Sequence, residues 1–403
     1  MSEVIELKKK EAIKELLLAE ARLSTNLAEK GIFFNKEEIT KHRIAKSGLN
    51  SVKGGDNLSF KLPHGIGASG HFTPWTPYSI VVENGNFILY DDKTPIGEIT
   101  FSDRAPNPLL DALLSDGQRF RNILSLSEEA GSVSVGYSKE CALKETGEDC
   151  LFCIINVGDG KYTERLHPIL TPKIVAEAYG LARKAGLANH FKISGGFVPE
   201  RRELEYYLDV AEEIVKKYPD FYGAAVIGAP ADLTILKKYK DAGYQNLSHN
   251  LEIWDKNIFA AICPGKDKRN GGQQHWIKSL EAAVDIFGKG HVDSNIIAGL
   301  EPKSSLLEGL EYLASKGIVA RSSRFRPIPG TPLEGYRSPT ADFHWEIVDK
   351  LSDIYIRYGF TLNQLTGKAA ANSLPLELFR IKTGDFEGDK LTTWKYPALK
   401  IPE

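Results

Sequence analysis

The chain has 403 residues, of which 42% are hydrophobic and 26% are charged. These values are typical of a protein that buries a sizeable core, and the length allows two or three domains or one barrel with additions. The formal net charge is −2, from 51 basic and 53 acidic residues. This balance gives no electrostatic reason to expect binding to nucleic acid or to an acidic membrane.

The N-terminal sequence and the hydrophobic runs predict a cytoplasmic protein. Residues 1–10 mix acidic and basic side chains without a hydrophobic run, so we expect no secretory signal. No window approaches about 18 uninterrupted hydrophobic residues, so we expect no membrane span. Three of the four cysteines, Cys141, Cys150 and Cys153, lie within 13 residues. In a reducing compartment, clustered cysteines more often bind metal or perform redox chemistry than form structural disulfides.

The first 130 residues predict an N-terminal extension with a helix and a small antiparallel sheet. Hydrophobic residues recur at mostly three- to four-residue steps over residues 2–30, which indicates a helix. Glycines punctuate residues 51–70 and predict a loop-rich segment. Three predicted strands follow, at 78–83, 86–90 and 96–101. We expect this extension, residues 1–130, to be a lid or a substrate-binding module.

From residue 131 onward, predicted strands alternate with predicted helices. The strands are expected at 132–137, 191–194, 223–228, 245–251, 292–297 and 318–325, and the helices at 172–185, 200–217, 231–242, 273–287, 304–316 and 341–358. Such alternation requires right-handed crossovers and a parallel sheet. The expected fold is therefore α/β, a partial (β/α)6 TIM-like barrel over residues 131–335, with a C-terminal helix and tail, residues 336–403, packed on it. The active site of such a barrel lies at the carboxyl ends of its strands.

A cysteine motif follows the first barrel strand. Cys141, Cys150 and Cys153 form the pattern Cys-x8-Cys-x2-Cys. Three thiolates on one loop would leave one iron of a four-iron cluster without a protein ligand, so that an exchangeable molecule could bind there. Two alternatives remain open at this point: a zinc site with a histidine such as His167 as fourth ligand, and a redox-active pair of Cys150 and Cys153.

Glycines and polar residues end later strands. Gly195 and Gly196 follow Ser194 at the end of the second strand, where glycine permits close backbone approach, although a simple turn explains them equally well. Alternation along the fourth strand would point Asn250 and Glu252 to the same side, so both could contact one ligand. A helix cap or a surface acid is the alternative for these two residues.

Several of these segments resemble the radical S-adenosylmethionine (SAM) superfamily. Cys150-Leu-Phe-Cys153, with an aromatic residue before the last cysteine, is similar to the cluster loop of that superfamily. Ser248-His-Asn-Leu-Glu252 and the Pro-Gly-Thr-Pro-Leu run at 329–333 resemble the biotin synthase-like branch. The resemblance covers residues 132–334. The spacing differs from the common family pattern, because eight residues rather than three separate the first two cysteines.

The resemblance implies two cofactors, a 4Fe-4S cluster and SAM, and a role for each matching residue. The cluster ligands would be Cys141, Cys150 and Cys153. The residues implied to contact SAM are Phe152 and Ile297 near the adenine, Ser194, Gly195 and Gly196 at the amino group, Asn250 and Glu252 at the ribose, and Arg324, or instead Lys278, at the carboxylate.

The implied function is reductive cleavage of SAM to a 5′-deoxyadenosyl radical, which takes a hydrogen atom from a small organic substrate. We expect a rearrangement, carbon–carbon bond formation or methyl transfer in cofactor or metabolite biosynthesis, with an external one-electron donor such as flavodoxin or ferredoxin. Arg326 is a candidate substrate contact. Cys263 is either a buried, inert residue or a thiol near the substrate. The alternative from another class is a non-catalytic zinc or iron–sulfur regulator or cluster carrier.

Overall fold

The computed structural model describes residues 2–47, 57–101, 107–127, 131–138, 140–153, 170–269, 271–366 and 374–385. The helices in this part of the chain are α1 (Ser2–Lys30), α2 (Lys36–Ser47), α3 (Phe120–Ile123), α4 (Ala142–Glu145), α5 (Pro172–Lys184), α6 (Glu200–Val215), α7 (Leu236–Asp241), α8 (Lys256–Ile262), α9 (Pro264–Lys268), α10 (Gly272–Phe287), α11 (Lys303–Ser315), α12 (Ala341–Arg357), α13 (Leu362–Leu365) and α14 (Leu374–Thr383). The strands are β1 (Phe33–Phe34), β2 (Asn57–Lys61), β3 (Gly67–His71), β4 (Tyr78–Glu83), β5 (Asn86–Asp91), β6 (Thr94–Phe101), β7 (Ser125–Ser127), β8 (Ser132–Ser138), β9 (His190–Gly195), β10 (Gly223–Val226), β11 (Tyr244–Ser248), β12 (Val292–Ala298) and β13 (Val319–Arg324).

The larger sheet is an open barrel of parallel strands. Its strand order is β13-β12-β11-β10-β9-β8-β7, and every pair from β8 to β13 is parallel. The short strand β7 adds an antiparallel edge at one end. Within the described residues, β13 forms the other edge and does not pair with β7, so the row of strands does not close. The expected α/β fold with six parallel strands in a partial barrel is confirmed.

The helices begin where side chains cap their free backbone N–H groups. Thr171 accepts a hydrogen bond from the N–H of Ile174 at the start of α5, and Thr340 accepts one from Phe343 at the start of α12. Such caps satisfy amides that have no partner within the helix. Each of these helices buries one hydrophobic face in the barrel core. In the described residues, no helix is both long and hydrophobic enough to cross a membrane.

The smaller sheet differs from its prediction in two ways. Its strand order is β1-β4-β5-β6-β2-β3, and β1 pairs with β4 in parallel, so the sheet is mixed rather than wholly antiparallel. The glycine-rich segment predicted as a loop contains the antiparallel hairpin of β2 and β3. Gly70 shows why glycine is used within a strand there, since a Cβ atom would lie 2.6 Å from the side chain of Ile32.

Two hydrophobic cores cross the expected boundaries at residues 130 and 335. The core of the smaller sheet includes Val348 from α12 and Leu378 and Ile381 from α14. The barrel core includes Leu114 and Phe120 from the segment before β8. The C-terminal helices thus pack on the N-terminal sheet, whereas residues 107–127 pack on the barrel. The division into 1–130, 131–335 and 336–403 stays a prediction, and the tail from residue 386 onward lies outside the described residues.

Candidate active site at the carboxyl ends of the barrel strands

The cysteine loop is tied to its neighbours at both ends. Cys141 lies directly before α4, and the N–H of Ala142 donates to the carbonyl oxygen of Phe197 at 2.7 Å. At the other end, the N–H of Leu151 donates to the carbonyl oxygen of Ile262, at the end of α8, at 3.0 Å. These bonds hold the loop over the carboxyl ends of β8 and β9. His167, the expected fourth ligand of a zinc site, lies outside the described residues.

The thiols suit an iron–sulfur cluster in their chemistry, because thiolates are the usual ligands of such clusters. Cys141, Cys150 and Cys153 are each partly exposed. Among the residues that the structure describes, however, no group of three or more His, Cys, Asp or Glu side chains is arranged to hold a metal ion. The convergence of the three sulfur atoms on one cluster therefore stays a prediction.

Cys263 is fully buried and lies against the cysteine loop. Its thiol is hydrogen-bonded to Cys150, which lowers the pKa of Cys150 and raises that of Cys263. The two thiols thus share one hydrogen bond. The sequence left open a buried residue or a substrate thiol, and the structure shows a buried residue in contact with a candidate cluster ligand.

Gly195 and Gly196 allow the cysteine loop to pack against the second barrel strand. A Cβ atom on Gly196 would lie 2.0 Å from the carbonyl oxygen of Glu140, and one on Gly195 would lie 2.7 Å from the ring of Tyr137. The N–H of Gly196 also donates to the carbonyl oxygen of Ser138 at 2.9 Å. The glycines therefore have a structural reason that is independent of SAM, and the SAM contact expected of Ser194 to Gly196 stays a prediction.

Asn250 and Glu252 lie together at the end of the fourth strand, but not by the alternation expected. Strand β11 ends at Ser248, and Glu252 adopts a left-handed backbone conformation with φ of 72°. Its backbone is held by β12, because its N–H donates to Asn295 and its carbonyl oxygen accepts from Ile297, both at 2.8 Å. Such a conformation is costly for a residue with a side chain, so the contacts with β12 must stabilise it.

Lys266 is the residue of this site that the sequence reasoning missed. Its ammonium group donates to the backbone carbonyl oxygen of Asn250 at 2.9 Å and to Oε1 of Glu252 at 3.2 Å, and it lies 4.6 Å from the ring centre of Trp276. Burial lowers the pKa of Lys266, but attraction by Glu252 and the thiols of Cys150 and Cys263 outweighs burial and raises it. The sequence gives little indication of this role, since Lys266 is one of many lysines and lies three residues after Cys263 on a short helix.

A second buried ion pair faces Asn250 from the last strand. Arg321 lies 2.5 Å from Asp293, and its Nη2 is 3.2 Å from Oδ1 of Asn250 and 3.3 Å from Oγ of Ser248. Lys192 interacts electrostatically with both members of this ion pair. Burial, and to a lesser extent repulsion from Arg321, lowers the pKa of Lys192. The barrel interior thus holds the ion pairs of Lys266 with Glu252 and of Arg321 with Asp293, with Lys192 nearby.

Phe152 and Ile297, the residues expected near the adenine, belong to one hydrophobic cluster. Phe152 packs at its margin, and Ile297 is buried within it beside Phe325 and Trp276. Because the N–H of Ile297 also donates to Glu252, this hydrophobic surface adjoins the polar group. The structure therefore brings these candidates into one region, and their contacts with SAM stay predictions.

Arg324 and Arg326 lie apart from this region. Arg324 is two residues beyond Ser322 on β13, on the strand face opposite to that of Arg321 and Ser323. Its guanidinium donates to the carbonyl oxygen of Ala28 in α1. Burial and repulsion from Arg326 lower its pKa to about 10. Its contacts thus join it to the N-terminal helix, and the expected role at the SAM carboxylate stays a prediction.

Three curated proteins are similar to part of the chain. Bacteriochlorophyllide c C-7(1)-hydroxylase from Chlorobaculum limnaeum is 30% identical over 243 residues, which are 56% of this chain and 60% of that protein. A 5-amino-6-(D-ribitylamino)uracil–L-tyrosine 4-hydroxyphenyl transferase from Methanosarcina mazei is 27% identical over 183 residues, 42% of this chain and 46% of that one. Biotin synthase from Persephonella marina is 24% identical over 250 residues, 58% and 66% of the two chains.

The chain thus spans about half to two thirds of the length of these relatives. No protein-family model matches it. The similarity to biotin synthase confirms the resemblance to radical SAM enzymes of the biotin synthase-like branch that was drawn from the sequence. A 4Fe-4S cluster and SAM are the cofactors of these enzymes.

Proposed function

We propose that this chain is a radical SAM enzyme that acts on a small organic substrate in cofactor or metabolite biosynthesis. The observation that carries the proposal is the arrangement at the carboxyl ends of the barrel strands. There, the Cys-x8-Cys-x2-Cys loop after β8 packs against the residues that end β9, and Cys150 lies in the same charge network as Glu252 and Lys266. Active sites occupy this end of such barrels.

Cys141, Cys150 and Cys153 would hold the 4Fe-4S cluster. When bound, the cluster would supply the electron for reductive cleavage of SAM to methionine and a 5′-deoxyadenosyl radical, which would remove a hydrogen atom from the substrate. The chain itself positions both partners and excludes water. The Cys263 thiol would add a hydrogen bond to one cluster ligand, and such bonds tune the potential of iron–sulfur sites.

Glu252 and Asn250 would bind the ribose of SAM. Lys266 fixes the position of Glu252 through one carboxylate oxygen, and Asn295 lies 3.5 Å from the other. An ionised carboxylate accepts hydrogen bonds only, so it pairs well with two neighbouring hydroxyl groups. Because Glu252 is held by backbone and side-chain contacts before any ligand binds, little ordering cost remains at the time of binding.

The reaction after hydrogen abstraction is proposed as a rearrangement, carbon–carbon bond formation or group transfer. The single remaining cysteine, Cys263, cannot by itself ligate a second four-iron cluster of the kind that a sulfur-inserting enzyme consumes. One relative, by its name, transfers a hydroxyphenyl group, which supports a transfer reaction. An external one-electron donor such as flavodoxin or ferredoxin would reduce the cluster.

Anaerobic reconstitution with iron and sulfide tests the proposal. The reconstituted chain is expected to bind about four irons and to form 5′-deoxyadenosine from SAM and dithionite. Alanine in place of Cys141, Cys150 or Cys153 is expected to abolish both properties. Cys263→Ala is the matched control, because it removes a buried thiol that is not an expected ligand, and it should retain the iron. Tightly bound zinc without iron, or a cluster that never cleaves SAM, would refute the proposal and favour a regulator or carrier.

A further inference from the structure

A cavity of about 580 Å³ lies between the last barrel strand and the N-terminal extension. Strand β13 contributes one wall, α1 and the hairpin of β2 and β3 contribute the opposite walls, and α12 and α14 complete the lining. Because β13 is an edge of the sheet in the described residues, the cavity adjoins the open side of the barrel. Its volume is within the range of pockets that bind small molecules.

The charged lining of this cavity is dominated by cations. Lys61, Arg324 and Arg326 line it together with His344. The acid whose attraction acts on Arg324 is Glu29, and its carboxylate accepts a hydrogen bond from the N–H of Ala341 at the start of α12. The positive charge also affects His344. Burial, and to a lesser extent repulsion from Arg324 and Arg326, lowers the pKa of His344 to about 4.

Three polar atoms of residues that line the cavity are buried without a hydrogen-bond partner among the described residues. They are Oγ of Ser322, Nη1 of Arg324 and Nδ1 of His344. A buried donor left unpaired costs free energy, so native proteins nearly always satisfy such groups with protein, water or ligand. A guanidinium, a hydroxyl and an imidazole are all groups that can hydrogen-bond to an oxyanion.

The remainder of the lining mixes hydrophobic and hydroxyl-bearing side chains, and it leads toward the candidate active site. Phe60, Ala68 and Val348 supply apolar surface. Ser323 also lines the cavity, and its hydroxyl accepts a hydrogen bond at 3.0 Å from Asn295, whose amide lies 3.5 Å from Glu252. A ligand anchored here could therefore extend along the edge of β13 toward the barrel interior.

We propose that this cavity binds the oxyanion, carboxylate or phosphate, of a small organic substrate and so selects anionic substrates for the radical reaction. The proposal rests on the proposed function for the identity of the ligand as a substrate. In this arrangement the N-terminal extension supplies about half of the binding site. It also gives Arg326 a contact with the anion, together with Arg324 and His344.

Binding of inorganic phosphate and of succinate to the full chain tests the proposal without SAM. Isothermal titration should detect binding of at least one of the two, and the preferred anion distinguishes a phosphate from a carboxylate ligand. Arg326→Gln should weaken that binding about tenfold, as expected for the loss of one charge-assisted hydrogen bond. Arg201→Gln is the matched control, because Arg201 is exposed on α6 and pairs with Glu205; it should bind as the wild type does.

A second pair of variants tests the cavity without removing a native side chain. Gly67 lines the cavity, and a Cβ atom there would have Lys61 Nζ at 3.9 Å as its nearest neighbour, an ordinary contact. Gly67→Asp would add a carboxylate that competes with the ligand, and it should weaken anion binding about tenfold or more. Gly67→Asn has nearly the same shape without the charge and should retain binding.

Two results would overturn the proposal: neither anion binds the wild type, or Arg326→Gln and Gly67→Asp bind as tightly as their controls. The failure of the proposed function looks different. It is the absence of 5′-deoxyadenosine from the reconstituted wild type, whether or not the cavity binds anions.

Discussion

The barrel interior around Glu252 and the cavity beside β13 differ in how their charges are balanced. In the barrel interior, Lys266 pairs with Glu252, and Arg321 pairs with Asp293. In the cavity, the charged residues of the described lining are Lys61, Arg324 and Arg326, without an acidic residue among them. The two regions are joined by the hydrogen bond from Asn295 to Ser323.

This difference suggests two ways in which the molecule prepares a binding site. A buried ion pair is costly to desolvate but holds its members in one geometry, which suits a cofactor that must be positioned before reaction. In the cavity, cations line the wall without an acidic residue among the described lining residues, so an anionic ligand can supply the opposite charge. The paired region would thus favour precise position, and the cation-lined cavity would favour selection by charge.

The largest effect is expected at the paired region. Lys266→Met should lower the free energy of unfolding by about 3–5 kcal/mol, because it leaves Glu252 buried without its cation. The double variant Lys266→Met with Glu252→Gln should recover much of this loss, since no buried charge is then left unpaired. Urea denaturation of the four proteins measures the cycle. Equal losses in the single and double variants would show that the ion pair is not the cause.

A steric change at the cysteine loop should have the next largest effect. Gly196→Ala places a Cβ atom 2.0 Å from the carbonyl oxygen of Glu140, so the loop must shift, at a cost of about 1–3 kcal/mol. Gly136→Ala is the matched control, because a Cβ atom there meets no neighbour within 4 Å. The midpoint temperature of thermal unfolding and the iron content after reconstitution should both fall for Gly196→Ala and stay unchanged for Gly136→Ala. If the two variants behave alike, the close approach at Gly196 is unimportant.

The pH dependence of folding stability should have a contribution from one buried histidine in each region. Burial lowers the pKa of His344 to about 4 and that of His249, beside Lys266, to about 3. The folded protein then binds fewer protons than the unfolded chain from about pH 6.5 downward, so stability is lost as the pH falls through this window.

Phosphate should raise the pKa of His344 but leave that of His249 unchanged. His344→Asn should reduce the acid-induced loss of stability by about 1–2 kcal/mol, a value discounted for the partial exposure of the ring. The ring resonances of the two histidines in NMR titrations report both effects. A phosphate-dependent shift at His249, or none at His344, would contradict the assignment of the anion to the cavity.

The smallest effect is expected at the link between the regions. Ser323→Ala removes the hydrogen bond from Asn295 and should cost about 0.5–1.5 kcal/mol in the free energy of unfolding. It should also reduce any coupling between the affinities for SAM and for the anion, which titrations of each ligand in the presence of the other measure. An unchanged coupling would show that Ser323 does not connect the two regions.

The barrel was predictable because its signals are local. Hydrophobic periodicity placed all six parallel strands, and the cysteine motif placed a candidate cluster loop at the end of the first. The hairpin of β2 and β3 was missed, because both strands are short and β3 contains two glycines, and glycine within a sequence normally indicates a loop. Strand and helix ends also shifted, as at β11, which ends three residues before the predicted Leu251.

The charge network was not predictable, because it depends on contacts between distant segments. Lys266 contacts Glu252 from α9, 14 residues further along the chain. Nothing in the local sequence distinguishes Lys266 from other lysines. The cavity is assembled from α1, two strands of the smaller sheet, β13 and the C-terminal helices. The sequence did identify Arg324 and Arg326 as candidates, but not the surface that they share.

Binding of both ligands to one set of variants tests the account most directly. The affinities for SAM and for the preferred small anion would be measured on the reconstituted wild type, Glu252→Gln and Arg326→Gln. We predict that Glu252→Gln weakens SAM binding and retains the anion, whereas Arg326→Gln weakens anion binding and retains SAM. If each variant weakens both ligands equally, or if SAM and the anion compete for one site in the wild type, the two regions are not separate sites.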